Sequence, residues 1–303
     1  MSDYNGVKPN VQELLKYRLK AKKLKIFANQ RVNSINAGGN LSKSKGKGMD
    51  FDEVRQYQPG DDIRLMHWGL TARLGKPFTK VYHEERERSL YFVIDQSSTM
   101  KFGTRECFKS VKAANILALM GFGAIGSQEK VGGVIFDENG YSYYRATHGK
   151  SSLLKMFNIL SSDQKSYQFK TRGNLAESLK LLYSKIKSSS VVIVVSDFSN
   201  FTSEASQYLK LLSKKSQTVN LFCYDPIEKE LPSMGVCNFS NDSEILAIDT
   251  SNSKQLNSYH NVYDTRFSAI QDFSKQYRMG FIAIATHDDL VHKINRGVAS
   301  YAN

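Results

Sequence analysis

The sequence predicts an α/β fold, three layers deep, with a mostly parallel sheet covered by helices on both faces and a basic N-terminal extension. Short all-apolar runs such as Leu90–Asp95 and Val191–Val195 have the composition of strands buried on both sides. Segments with helical periodicity alternate with them, the pattern of a parallel sheet. A length of 303 residues is enough to bury a sizeable core in one large domain, or one domain plus an extension.

In chain order, Val11–Phe27 reads as a helix. Val11, Leu14, Leu15, Leu19 and Ile26 recur at helical spacing, and lysines with Arg18 cover the rest. That stripe suits docking on the main domain or, alternatively, a membrane surface. Asn36–Gly48, NAGGNLSKSKGKG, reads as a flexible loop. From Ser89 onward strands are expected at Leu90–Asp95, Val131–Phe136, Tyr141–Ala146, Val191–Val195, Val219–Tyr224, Ile245–Ile248 and Phe281–Ala285. Helices are expected at Phe108–Ile125, Leu153–Leu160, Leu175–Ile186, Ala205–Leu212 and Phe267–Tyr277, with a short one at the C-terminus. The division is therefore residues 1–50 as a basic helix and loop, 51–88 as a dense polar block packing on the main domain, and 89–303 as the α/β domain.

The net charge of +13 is unevenly placed. Residues 1–50 carry eleven Lys/Arg against three Asp/Glu, a net of +8, which suits an acidic protein, an anionic membrane or nucleic acid. Single-strand binders interleave aromatics with their basic residues, and this arm lacks them. Three cysteines, Cys107, Cys223 and Cys237, make neither a disulfide framework nor a CxxC site, as in a reducing compartment. The N-terminus lacks the apolar segment of a secretory signal, and no apolar run approaches a membrane span. A cytoplasmic protein is expected.

The stretch LYFVIDQSSTM puts Asp95, Ser97 and Thr99 at alternate positions just past a buried strand. Oxygen donors so spaced suit a hard cation such as Mg²⁺, at the strand end where α/β sheets bind ligands. The strand Val191–Val195 runs likewise into Ser196-Asp197, a second carboxylate, or else a helix cap. The loop Thr171-Arg172-Gly173-Asn174 offers a further oxygen ahead of a helix. Asp95, Ser97, Thr99, Asn174 and Asp197 form the expected metal set, with one coordination position left for a partner's carboxylate.

The second dense block, FDEVRQYQPGDDIRLMHWGLTAR, holds a Pro-Gly-Asp turn signal, several arginines and the single tryptophan, Trp68. Asp61 or Asp62 can pair with Arg55, Arg64 or Arg73, which reads as a turn locked by ion pairs. This block, with EERERSLYFVIDQSSTM and FGT behind it, resembles the bacterial family known as domain of unknown function 58. The resemblance runs from about Phe51 through Asp197 and more loosely to the C-terminus. It rests on Arg55, Gly60, Asp61, Asp62, Arg64, Trp68, Ala72 and Arg73. It implies a von Willebrand factor type A-like domain, with Asp95, Ser97 and Thr99 on the first motif of a metal ion-dependent adhesion site and Asp197 on the third. Two positions depart from that pattern. Asn174 stands where a threonine is usual, and His67 stands where an aspartate is common.

Three other motifs are set aside. Gly121–Gly126 spells GxGxxG but follows a helix, the reverse of the dinucleotide-binding context. Gly149-Lys150-Ser151 has Tyr144 where a phosphate loop needs its first glycine. His287-Asp288-Asp289 reads as the loop into the terminal helix. With no nucleophile elbow, HExxH or Cys–His pair, no enzyme is expected. The resemblance implies a protein-binding module, an adaptor or scaffold partner of a MoxR-type AAA+ ATPase, binding an acidic group with or without a degenerate Mg²⁺ site. The alternative is nucleic-acid or anionic-membrane binding through the basic arm.

Overall fold

The computed structural model describes residues 6–24, 49–84, 88–162, 167–169, 173–188, 190–240 and 245–299. In chain order its elements are α1 (Val11–Ala21), β1 (Met49–Gln56), α2 (Trp68–Leu74), β2 (Phe78–Glu84), β3 (Ser89–Asp95), α3 (Lys109–Gly126), β4 (Lys130–Asp137), β5 (Gly140–Thr147), α4 (Ser151–Ser161) and α5 (Leu175–Lys185). Then come β6 (Ser190–Ser196), α6 (Ser203–Lys215), β7 (Gln217–Tyr224), α7 (Pro226–Lys229), β8 (Val236–Ser240), β9 (Ile245–Asp249), α8 (Ser253–Gln276), β10 (Gly280–Ala285) and α9 (Leu290–Ala299). The chain forms two compact units, Asn36–Glu87 and the remainder, Met1–Ile35 with Arg88–Asn303.

The larger unit is built on one six-stranded sheet in the order β10-β7-β6-β3-β4-β5. All neighbours are parallel except the edge pair β4–β5. Successive side chains of a strand face opposite sides, so an unbroken apolar run needs a core on each. β3 shows how both are filled. Leu90, Phe92 and Ile94 join α1, α3, α4 and α9 in one apolar cluster. Tyr91 and Val93 join α5, α6 and α8 in the other. The central strand β6 is buried throughout, whereas in the edge strand β5 buried residues are interspersed with more exposed ones. The three-layer α/β architecture is thus the one expected from sequence.

Local differences have local causes. The leading helix stops at Ala21, and residues 25–27 of the expected helix lie outside the described residues, as does the loop Asn36–Gly48. Its buried residues are Leu14 and Ala21, with Leu24 just beyond, while Leu15 and Leu19 face solvent. One helical face repeats at three and four residues, and the face through Leu14 passes through Ala21 and misses Leu15 and Leu19. Ile245–Ile248 is a strand but not of the main sheet; β9 pairs with β8 in a separate antiparallel ribbon. The expected helix Phe267–Tyr277 is the second half of the 24-residue α8, whose first turns are polar and exposed. Among the described residues, no helix is long and apolar enough to cross a membrane. The GxGxxG glycines sit in the last turns of α3, where a Cβ on Gly121 would come within 2.7 Å of Leu153 Cδ1. There glycine serves helix packing.

Candidate functional site at the carboxyl ends of β3 and β6

β3 and β6 are parallel neighbours, with Ile94 beside Val195, so Asp95 and the Ser196-Asp197 pair leave the sheet side by side. The Asp95 carboxylate is buried, and each of its oxygens accepts a hydrogen bond. Its Oδ1 accepts from Ser97 N at 2.9 Å, and its Oδ2 accepts from Ser196 Oγ at 2.6 Å. Ser196 Oγ in turn accepts from Phe198 N at 2.9 Å. Phe198 has a left-handed backbone, φ 53°, uncommon for a residue with a side chain. The buried ring, stacked near Phe222 with centroids 6.2 Å apart, holds it there. That turn folds the chain back so that Ser199 N donates to Asp197 Oδ1 at 2.9 Å.

The two loops meet through hydroxyls. Ser97 Oγ and Thr99 Oγ1 lie 3.2 Å apart, and Thr99 Oγ1 donates to Asp197 Oδ1 at 3.3 Å. Gln96 anchors the first loop by donating through Nε2 to Ser110 O, and Ser98 N donates to the Glu138 carboxylate from the β4–β5 turn. Asp95, Ser97, Thr99 and Asp197 are therefore brought together. Asn174 is used differently, as the N-cap of α5, with its Oδ1 accepting from Glu177 N at 2.8 Å. Thr171 and Arg172 lie outside the described residues.

The sequence reading missed the group that dominates the electrostatics. Lys109, the first residue of α3, is 1% exposed, and its Nζ donates to Asp197 Oδ2 at 2.7 Å and Glu228 Oε1 at 2.8 Å. Arg266 of α8 lies 3.3 Å from Glu228 Oε1, donates to Ser199 Oγ at 2.6 Å and stands over the Phe222 ring. The signal was a lysine at the head of an apolar helix, because buried lysines require partners. The carboxylates at residues 197 and 228 are separated from it by about a hundred positions, so no local pattern names them.

These contacts set the charges. Burial alone would lower the Lys109 pKa, but Asp197 and Glu228 outweigh it and raise it. Burial works to raise Asp197, and the Lys109 ammonium overcomes it and keeps this carboxyl below the usual range. Asp95 has no such cation; desolvation, then the negative charge of Asp197, push it up to about 6. Two adjacent buried acids thus divide, one held ionised and one ready to take a proton. Among the described residues, no group of three or more His, Cys, Asp and Glu side chains is placed to hold a metal ion.

The smaller unit uses its motif residues to fix turns. β1 and β2 form an antiparallel hairpin. Arg55 donates to Asp61 Oδ1 at 2.7 Å, and Gln58 N donates to Asp61 Oδ2 at 2.9 Å. The Gln58 amide first, then Arg55, lower the Asp61 pKa. Asp62 caps the short 3₁₀ turn Ile63–Leu65 by accepting from Arg64 N, and Gly60, just ahead of the two aspartates, takes a positive φ. His67 caps α2, its Nδ1 accepting from Leu70 N at 3.1 Å. An aspartate at this position would cap the helix the same way. His67→Ala is expected to cost α2 about 1 kcal/mol, read as roughly fivefold faster amide exchange at Leu70, and His67→Asp to restore protection. Trp68 is 64% exposed, and Arg73 closes α2.

Residues 53–266 match the family model described as "Protein of unknown function DUF58". Among curated proteins, the chain is 26% identical over 212 residues to "Uncharacterized protein Rv1480" of Mycobacterium tuberculosis (strain ATCC 25618 / H37Rv) and to "Uncharacterized protein Mb1516" of Mycobacterium bovis. Each match covers 70% of this chain and 66% of the relative, just under two thirds of its length. Among solved structures, the conserved hypothetical protein BatB from Bacteroides thetaiotaomicron is similar at 14% identity and a TM-score of 0.44, covering 71% of this chain and 98% of that one. An aerotolerance-related membrane protein from Bacteroides fragilis is similar at 15% identity and 0.38, covering 62% and 98%.

Proposed function

The chain belongs to that family, and we propose that it is a non-enzymatic protein-binding module, an adaptor or scaffold partner of a MoxR-type AAA+ ATPase. The ATPase association rests on the sequence resemblance, and the contact face on geometry. Ser98, Thr99 and Lys101 on one loop, with Ser199 and Asn200 on the other, are exposed, while Asp95, Ser97, Asp197 and Phe198 beside them are buried and bonded. A face of hydroxyls, amides and a lysine held on a buried frame binds without first paying to order itself. It suits an acidic group on the partner, as does the net charge of +13.

The reading of this site as non-catalytic rests on the same bonds. The Ser97 and Thr99 hydroxyls contact each other and Asp197, whose charge is matched by Lys109, and Asp95 accepts from the Ser97 amide and the buried Ser196 hydroxyl, so among the described residues of this site no unpartnered base stands beside an exposed nucleophile. Working beside a nucleotide-hydrolysing partner, the module is assigned to the cytoplasm. Lys101→Glu reverses the charge of the exposed face toward an acidic partner and, at an exposed position of that loop, is expected to change stability by less than about 0.5 kcal/mol. It should abolish capture of the AAA+ ATPase from extracts of the native cell, scored by mass spectrometry against the wild-type chain. Undiminished capture would remove this face from the proposal.

A further inference from the structure

We infer that Lys109 is the resident cation of the crevice: beside Asp197 its ammonium supplies the positive charge that a divalent ion supplies in a metal-dependent adhesion site, so the wild-type chain binds without metal. The oxygens a metal would need are already engaged. Asp197 Oδ2 takes the ammonium at 2.7 Å, and Asp197 Oδ1 takes Ser199 N and the Thr99 hydroxyl. Both oxygens of Asp95 accept protein donors, and Asn174 Oδ1 caps α5.

Nor can the ammonium step aside. Lys109 is gripped by two carboxylates, and its own backbone N–H donates to Phe102 O at 2.8 Å, fixing the head of α3 over the crevice. Lys109 and Arg266 match Asp197 and Glu228 charge for charge, which leaves Asp95 as the acid in this cluster without a cationic partner among the described residues. A dication at Asp197 would have to sit beside a full positive charge in a site closed to screening water. Magnesium also demands near-ideal octahedral donors, which these bonded groups do not supply.

The inference goes beyond partner binding and is tested without a partner, by Mn²⁺ titration of the full chain followed by water-proton relaxation. The wild type should show no saturable binding in the millimolar range, and its melting temperature should be the same in Mg²⁺ and in chelator. Lys109→Gln, which opens the cation position, should bind Mn²⁺ at least about tenfold more tightly and gain melting temperature with added Mg²⁺. If Lys109→Gln does not fold, the double variant Lys109→Gln, Glu228→Gln carries the same test with one fewer stranded charge. Saturable Mn²⁺ binding by the wild type that Ser97→Ala removes would overturn the inference. So would a folded Lys109→Gln variant, single or double, that binds Mn²⁺ no better than the wild type.

Discussion

Lys109→Met is expected to destabilise the larger unit by about 3–5 kcal/mol at neutral pH. The methionine fills much of the lysine's volume, so packing is not the main loss. The loss is that Asp197 and Glu228 remain in a buried crevice with their shared counter-charge gone. The pH dependence separates this from a simple cavity effect. In the wild type Asp197 titrates below the usual range, so its stabilising contribution is complete above 3.8 and is lost as pH falls through its lowered value. Lys109 is raised, so its contribution is present below 10.5 and is lost as pH climbs through its raised value. Without the ammonium, burial should drive Asp197 upward, and the variant should regain stability relative to wild type on acidification. Urea unfolding of both chains at about pH 7 and about pH 5 measures this. A deficit that does not change with pH would show that the ion pair is not its cause.

Asp95→Asn should have the opposite sign. A carboxyl raised from 3.8 to about 6 holds its proton more tightly folded than unfolded. Its contribution therefore falls as pH rises from 3.8 to about 6, and above that the protein carries the full cost of a buried, uncompensated charge. A shift of about two units corresponds to roughly 3 kcal/mol. Asparagine is neutral, keeps an acceptor for Ser97 N–H and can donate to the Ser196 hydroxyl, which turns to suit. The variant should exceed wild type by up to about 3 kcal/mol above pH 6, with the gain fading toward pH 4. Unfolding curves across that range check it, and an Asp95→Asn chain less stable at every pH would contradict the assignment of charge.

The contrast between Asp95 and Lys109 also shows what the sequence made legible. Strands buried on both faces announce themselves as apolar runs, and the residues at their carboxyl ends follow by register, so Asp95, Ser97, Thr99 and Asp197 could be grouped by reading alone. The start of α8 could not, because a helix whose first turns are mostly polar and exposed has too weak an apolar stripe to detect. The strand Ile245–Ile248 was legible but β8 and the ribbon the two form were not, because a short apolar strand does not declare its partner. Asn174 was read as a ligand because a helix cap and a metal donor use the same oxygen. Lys109, Glu228 and Arg266 come from three distant segments, and only the folded chain shows that their charges meet.

The central claim is that the two loops at the ends of β3 and β6, fixed by this buried network, form the partner-binding face. Amide hydrogen exchange of the full chain, alone and with the captured AAA+ ATPase in the presence of chelator, tests it most directly. The account predicts slowed exchange in residues 97–101 and 198–201, with the same protection when Mg²⁺ replaces the chelator. Protection elsewhere with both loops unchanged, or protection of the loops that disappears in chelator, would contradict it.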